Sequence, residues 1–328
     1  MRLFSRTPPV AAPVAKPSTK GDGAFVSLAD LAALQPAARD FSLRNSRPVR
    51  DLISGRRDSH VRGRGLAFEE MRQYLPGDDV RTIDWRATAR TGKPFVRVYD
   101  EEKDRPVLLI VDQRRNMFFG TRRAMKSVAA AEAAALVAWR SIAEGDRIGG
   151  FVFNDAARDE ARPNRSRASV MRLMAMLAAR NRELRESSSA RAPGRLDEAL
   201  EAAAAVARHD HLVVLISDLD GHGPRTRDLL LRLVQSNDVL VFLVYDPFLL
   251  NLPTSGEIVA GDGALQVQLG FGVAKLRRGL ADFADARTRD ILSWRRELGV
   301  TVLPLSSAEE TAAQMRRLLA SSLRRRRT

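Results

Sequence analysis

Asp112, Arg114 and Asn116 fall within five residues, and a second short acidic stretch holds Asp218, Asp220 and Gly221. Carboxylates and amides supply oxygen ligands to a hard cation such as Mg²⁺, whereas a guanidinium has no acceptor and is itself a partner for carboxylate. Two chemistries are therefore open to this set, metal ligation or a fixed arginine–carboxylate pair. The elements that must carry it are legible around it. Val107–Val111 is an unbroken apolar run after Pro106, the pattern of a fully buried strand in a parallel sheet. It ends at Asp112, and the alanine-rich stretch 124–142 that follows predicts a helix. His211–Ile216 is a second such run and leads into Asp218. Both carboxylates then stand where parallel strands end, at the edge where open α/β sheets bind ligands.

From Pro106 onward strand and helix signals alternate. Strands are predicted at 147–153, 211–216, 239–245 and 300–305, with a short one near 156–161 and a hairpin over 257–269. Helices are predicted at 166–180, 196–207, 226–235, 273–298 and 309–323. In the first of these Val170, Leu173, Met174 and Leu177 share the inner face. Such alternation implies a mainly parallel sheet with helices on both faces.

The 328 residues are 45% hydrophobic and 29% charged, a composition that excludes a wholly disordered chain. The formal charge of +14 suits an anionic partner. Much of the excess lies in Arg44–Arg64 and Arg324–Arg327, and blocks of like charge are commonly solvated tails. With aromatic content at 6% and no stacking platform, nucleic-acid binding is the lesser alternative. The absence of cysteine excludes disulfides, thiol nucleophiles and cysteine-ligated metals. No apolar run reaches the roughly 18 residues of a membrane span, so a soluble, cytoplasmic protein is expected. Residues 1–26, broken by Pro8, Pro9, Pro13 and Pro17, read as a disordered leader. Ser27–Leu34 predicts a short capped helix.

Between these parts, Pro76-Gly77-Asp78 is a strong turn signal. Asp78, Asp79, Arg81, Asp84, Arg86 and Arg90 then alternate in sign around Ile83 and Trp85, which suggests carboxylates and guanidiniums interlocked at a buried or half-buried seam. Phe95–Tyr99 alternates as a strand. The string P-G-D-D followed by I-D-W and Ala89-Arg90 resembles the signature of the DUF58 family, over roughly residues 40–305. The resemblance implies an N-terminal, β-containing DUF58-type segment at 27–104 clamped by that seam to a von Willebrand factor A-like domain at 105–306, then a helix and basic tail at 307–328.

A-type domains carry a metal-ion-dependent adhesion site, D-x-S-x-S after the first strand, a threonine before a later helix and an aspartate after the fourth strand. Asp112 and Asp218 match the two aspartates; Arg114 and Asn116 replace the serines, and Arg195, after Pro193-Gly194, replaces the threonine. Two fixed positive charges repel a dication. The favoured reading is a degenerate site in which Arg114 or Arg195 takes the cation's place against Asp112 or Asp218. A residual Mg²⁺ site on Asp112, Asn116 and Asp218, or simple loop caps, are the alternatives. The resemblance further implies a non-enzymatic interaction module that works with a MoxR-type AAA+ ATPase on an unidentified client protein in assembling a complex. A metal-dependent hydrolase is the least favoured reading.

Two motifs are decoys. Gly120 to Lys126-Ser127 mimics a phosphate-binding loop, but Met125 stands where its second glycine is needed. His209 and His211 begin the strand that ends near Asp218, too far from it to share a site. His222 alone is close in sequence, and reads as a turn residue.

Overall fold

The computed structural model describes residues 23–43, 66–76, 78–101, 106–185, 190–250, 257–261, 266–270 and 274–324. The chain forms two compact units, Pro48–Arg105 and the remainder, Met1–Arg47 with Pro106–Thr328. This redraws the expected boundary at residue 27. Helix α1 (Leu28–Ala33) begins with a capping box: the Ser27 hydroxyl accepts from Asp30 N–H, and the Asp30 carboxylate accepts from Ser27 N–H at 2.9 Å. Its Leu31 is fully buried in the larger unit, where the Leu31 carbonyl accepts from Trp139 Nε1 at 3.2 Å. Residues 23–26, expected within a disordered leader, are ordered too, since Gly23 O accepts from Met125 N and Val26 N donates to Asn181 Oδ1. Residues 1–22 of that leader, the basic 44–64 loop and Arg325–Arg327 lie outside the described residues.

In the smaller unit, β1 (Leu66–Gln73) pairs antiparallel with β2 (Phe95–Glu101), and α2 (Trp85–Thr91) lies in the connection between them. Strand β1 has no sequence signal because Glu69, Glu70 and Arg72 interrupt both an apolar run and an alternation. Gly77 lies outside the described residues. Among the described contacts, one acidic residue of the charged string pairs with an arginine and two accept from backbone N–H groups. Asp78 forks with Arg72, at 2.8 Å to each terminal nitrogen. Asp79 accepts from Arg81 N, and Asp84 caps α2 by accepting from Arg86 N and Ala87 N. The Arg81, Arg86 and Arg90 side chains are exposed and form no ion pair among the described residues. Trp85, expected half-buried at least, is 70% exposed.

The larger unit is built on a six-stranded sheet. Along the chain come β3 (Val107–Asp112), α3 (Lys126–Ala143), β4 (Ile148–Phe153), β5 (Arg158–Asn164), α4 (Arg167–Glu183) and α5 (Arg195–Val206). There follow β6 (Leu212–Ser217), α6 (Pro224–Ser236), β7 (Asp238–Tyr245), the hairpin β8 (Glu257–Gly261) and β9 (Gln266–Gly270), α7 (Ala274–Glu297), β10 (Thr301–Ser306) and α8 (Thr311–Arg324). The strand order is β10-β7-β6-β3-β4-β5, all parallel except the marginal β5. This is the mainly parallel α/β sheet, flanked by helices, that the alternation of elements predicts. The outermost strands each contain a proline, Pro163 in β5 and Pro304 in β10.

Strand β3 is buried on both sides, and its alternate residues face opposite layers. Val107, Leu109 and Val111 pack with α1, α3, α4 and α8, whereas Leu108 and Ile110 pack with α5, α6 and α7. Helix α3 is alanine-rich because it is covered almost all round, by the sheet beneath and neighbouring helices beside it. The pairing of β4 with β5 slips between Ile148 and Gly150, a bulge at Gly149. A Cβ there would stand 2.4 Å from Ala161 O and 2.5 Å from Pro163 N, so only glycine allows the edge strand to approach.

Candidate functional site

Strand β3 delivers Asp112 fully buried to the carboxyl edge, and the next turn folds Arg114 back onto it. Arg114 N donates to Asp112 Oδ1 at 2.9 Å, its Nε to Oδ1 at 3.0 Å and its Nη2 to Oδ2 at 2.7 Å. Ser217, the last residue of β6, donates its hydroxyl to Asp112 Oδ2 at 2.7 Å. The remaining Arg114 donors tie neighbouring loops together: Nη1 reaches Pro193 O at 3.2 Å and Nη2 reaches Asp220 O at 3.0 Å. The side chain is 1% exposed. Burial works against the guanidinium's charge, but the Asp112 carboxylate, with Asp218 and Asp220 behind it, raises its pKa above the ordinary arginine value.

Asp218 is neutralised by different residues. Lys126, at the start of α3, places Nζ 2.5 Å from Asp218 Oδ2, and Asn116 Nδ2 donates to Oδ1 at 2.7 Å. Asp220 N also donates to Oδ1, and Arg287 of α7 donates to the Asp218 carbonyl. The following Leu219 is buried with φ of 59°, a left-handed conformation costing a non-glycine residue roughly 1–2 kcal/mol. This turn carries Asp218 toward Lys126 while Leu219 enters the core. Burial opposes ionisation of Asp218, yet the Lys126 charge and hydrogen bond, aided by Arg287 and Asp220 N–H, hold its pKa down at about 2.

The folded value lies below the unfolded one near 3.8, so this stabilisation is present above about pH 4 and lost as pH falls through 2. At 1.36 kcal/mol per pKa unit it amounts to roughly 2 kcal/mol. Urea midpoints from pH 6 to pH 2 should fall more steeply for the wild type than for Asp218→Asn. Parallel acid limbs for the two proteins would rule this out.

The expected residues divide accordingly. Asp112 with Arg114, and Asn116 with Asp218, are brought together. Arg195 is not: its side chain turns outward to Glu198 at 2.6 Å and to the carbonyls of Asp155 and Ala156. The reason is local, since Glu198 lies one helical turn along α5 and the Asp155 and Ala156 carbonyls lie within reach. Lys126, Ser217 and Arg287 complete the site and were not expected in it. Lys126 was legible only as part of the false phosphate loop, Ser217 directly precedes Asp218, and Arg287 comes from a distant helix without local signal. His222 lies beside the site but serves α7, with Nε2 3.2 Å from Asp290 and Nδ1 2.8 Å from Leu219 O.

The residues do not fit the dication that A-type domains hold. Both Asp112 oxygens are taken by Arg114 and Ser217, and both Asp218 oxygens by Lys126 and Asn116. An entering ion would meet a buried guanidinium and an ammonium in contact with its ligands. Among the described residues no group of three Asp, Glu or His is arranged to hold a metal. Nor is any described helix long and apolar enough to cross a membrane.

An uncharacterized protein of Mycobacterium bovis, Mb1516, is 30% identical over 295 residues, covering 89% of this chain and 90% of its own. Rv1480, an uncharacterized protein of Mycobacterium tuberculosis, matches to the same extent. Among solved structures, the conserved hypothetical protein BatB from Bacteroides thetaiotaomicron aligns with a TM-score of 0.39 and 11% identity, over 66% of this chain and 98% of its own. An aerotolerance-related membrane protein from Bacteroides fragilis aligns with the same score and identity, over 67% and 98%. The family described as protein of unknown function DUF58 matches residues 70–290, and the chain belongs to that family.

Proposed function

We propose that this chain is a non-enzymatic protein-interaction module, a cytoplasmic adaptor that works with a MoxR-type AAA+ ATPase in the assembly or maturation of a protein complex. In this reading the sheet's carboxyl edge is a degenerate adhesion site that docks without metal. The observation that supports it is the closed charge pairing: Asp112 is bound by Arg114 and Asp218 by Lys126. General base catalysis requires a group placed to take a proton from substrate, and here both carboxylates are engaged with internal cations. The ion pairs instead fix the loops that frame the edge. Phe119 and Arg122 stand exposed on the loop between Asp112 and α3, an aromatic and a guanidinium of the types that anchor interfaces.

The test uses the purified chain and a purified MoxR-type ATPase. Binding should persist in EDTA without nucleotide and weaken by at least about tenfold, ~1.4 kcal/mol, in Phe119→Ser/Arg122→Glu. These positions are chosen because they are exposed, whereas substitutions at Asp112 or Asp218 would disturb the fold itself. Binding abolished by EDTA, or no binding at all, would overturn the reading.

A further inference from the structure

The smaller unit presents a surface of its own. Helix α2 turns about 100° per residue, which puts Ala87, Thr88 and Thr91 on one side and Trp85, Arg86, Ala89 and Arg90 on the other. The first side is the packed one: Ala87 is buried, and Thr88 and Thr91 hydrogen bond to the chain around Phe95 and Lys93. The second side is open, with Trp85 70% exposed and Arg86, Ala89 and Arg90 exposed beside it. Val80 and Arg81, just before the helix, are exposed as well.

Its charge is of one sign. Arg81, Arg86 and Arg90 form no ion pair among the described residues, and the nearby carboxylates are used elsewhere, Asp78 on Arg72 and Asp79 and Asp84 as caps. An exposed tryptophan flanked by guanidiniums is unfavourable to leave in water and is the side-chain chemistry that dominates binding energy at interfaces. Arginine in particular recognises carboxylate by paired, planar hydrogen bonds.

We infer that the outer face of α2 is a docking surface for an acidic segment of a partner protein, one in which carboxylates flank an apolar side chain. The apolar group covers Trp85, and the carboxylates pair with Arg86 and Arg90. This goes beyond the adaptor reading, and its test does not involve the ATPase, so either can fail without the other.

The protein carries its own reporter. Of its three tryptophans, Trp139 is 2% and Trp294 0% exposed, so Trp85 is the one accessible to iodide quenching. The probe is a synthetic peptide alternating glutamate and leucine, titrated into the full chain at low and moderate salt. The expected result is a saturable blue shift of emission with loss of iodide quenching, weakened by salt. Arg86→Glu/Arg90→Glu should reduce the affinity at least about tenfold while thermal unfolding stays unchanged. Trp85→Ser should do the same, read by the anisotropy of a labelled peptide. The inference is overturned if the acidic peptide shows no saturable binding to millimolar concentration. It is also overturned if a lysine–leucine peptide, single-stranded DNA or phosphatidylglycerol vesicles bind as well or better, or if iodide fails to quench the free protein.

Discussion

Asp112→Ala should destabilise the larger unit by about 3–5 kcal/mol, the range for stranding one member of a buried ion pair. The variant leaves the Arg114 guanidinium, 1% exposed, on the carbonyls of Pro193 and Asp220, with only the Asp218 and Asp220 carboxylates behind it as counter-charge. For a unit of this size each kcal/mol lowers the melting temperature by roughly 2–4 °C, so calorimetry should show a fall of about 6–20 °C. Removing both charges is milder: Asp112→Leu/Arg114→Met should recover a substantial part of the loss, because an apolar pair has no unmet charge to bury. A shift of less than about 2 °C for the single variant would mean that water reaches Arg114 and that the pair is not the closed unit described.

Gly149→Ala should cost roughly 2–4 kcal/mol, as expected for a clash with backbone rather than with a flexible side chain. The new methyl would lie 2.4 Å from Ala161 O and 2.5 Å from Pro163 N, so β5 must leave β4 or both must bend. The damage should be local first. Hydrogen exchange should rise along 158–164, where Arg180 also loses its fork on Asp159 at 2.7 and 2.8 Å, while β3 and β6 stay protected. Uniform protection across the sheet, with stability within about 0.5 kcal/mol of wild type, would refute the packing argument at Gly149.

The architecture was legible where burial is two-sided. Val107–Val111 and His211–Ile216 announce central strands because nothing polar is tolerated on either face, and the sites at their ends follow from topology. Strand β1 was hidden because charged residues break its pattern. In the site, Asp112 and Arg114 were readable as one of several possible pairs, two residues apart at a strand end, with Arg195 and Asp218 as the alternatives. The true partner of Asp218 was not, since Lys126 is 92 residues away and only the fold brings it there. Arg195 shows the converse error: a position taken from a family pattern says where the backbone goes, but a long side chain follows its nearest acceptors, here Glu198 and the 155–156 carbonyls. In the charged string around Trp85 alternating signs suggest ion pairs, and Asp78 forms one with Arg72, while Asp79 and Asp84 at helix starts bond backbone amides.

The prolines at the two margins of the sheet, Pro163 and Pro304, bear on how the molecule meets others. Neither can donate a main-chain hydrogen bond, and proline in an outermost strand is one way a sheet avoids templating another chain. Recognition by lengthening the sheet, in which main-chain bonds supply affinity with little regard to sequence, is thereby discouraged on both flanks. Partners must be chosen by side chains at loop tips and helix faces, so selectivity in this protein rests on residues that can vary without disturbing the sheet.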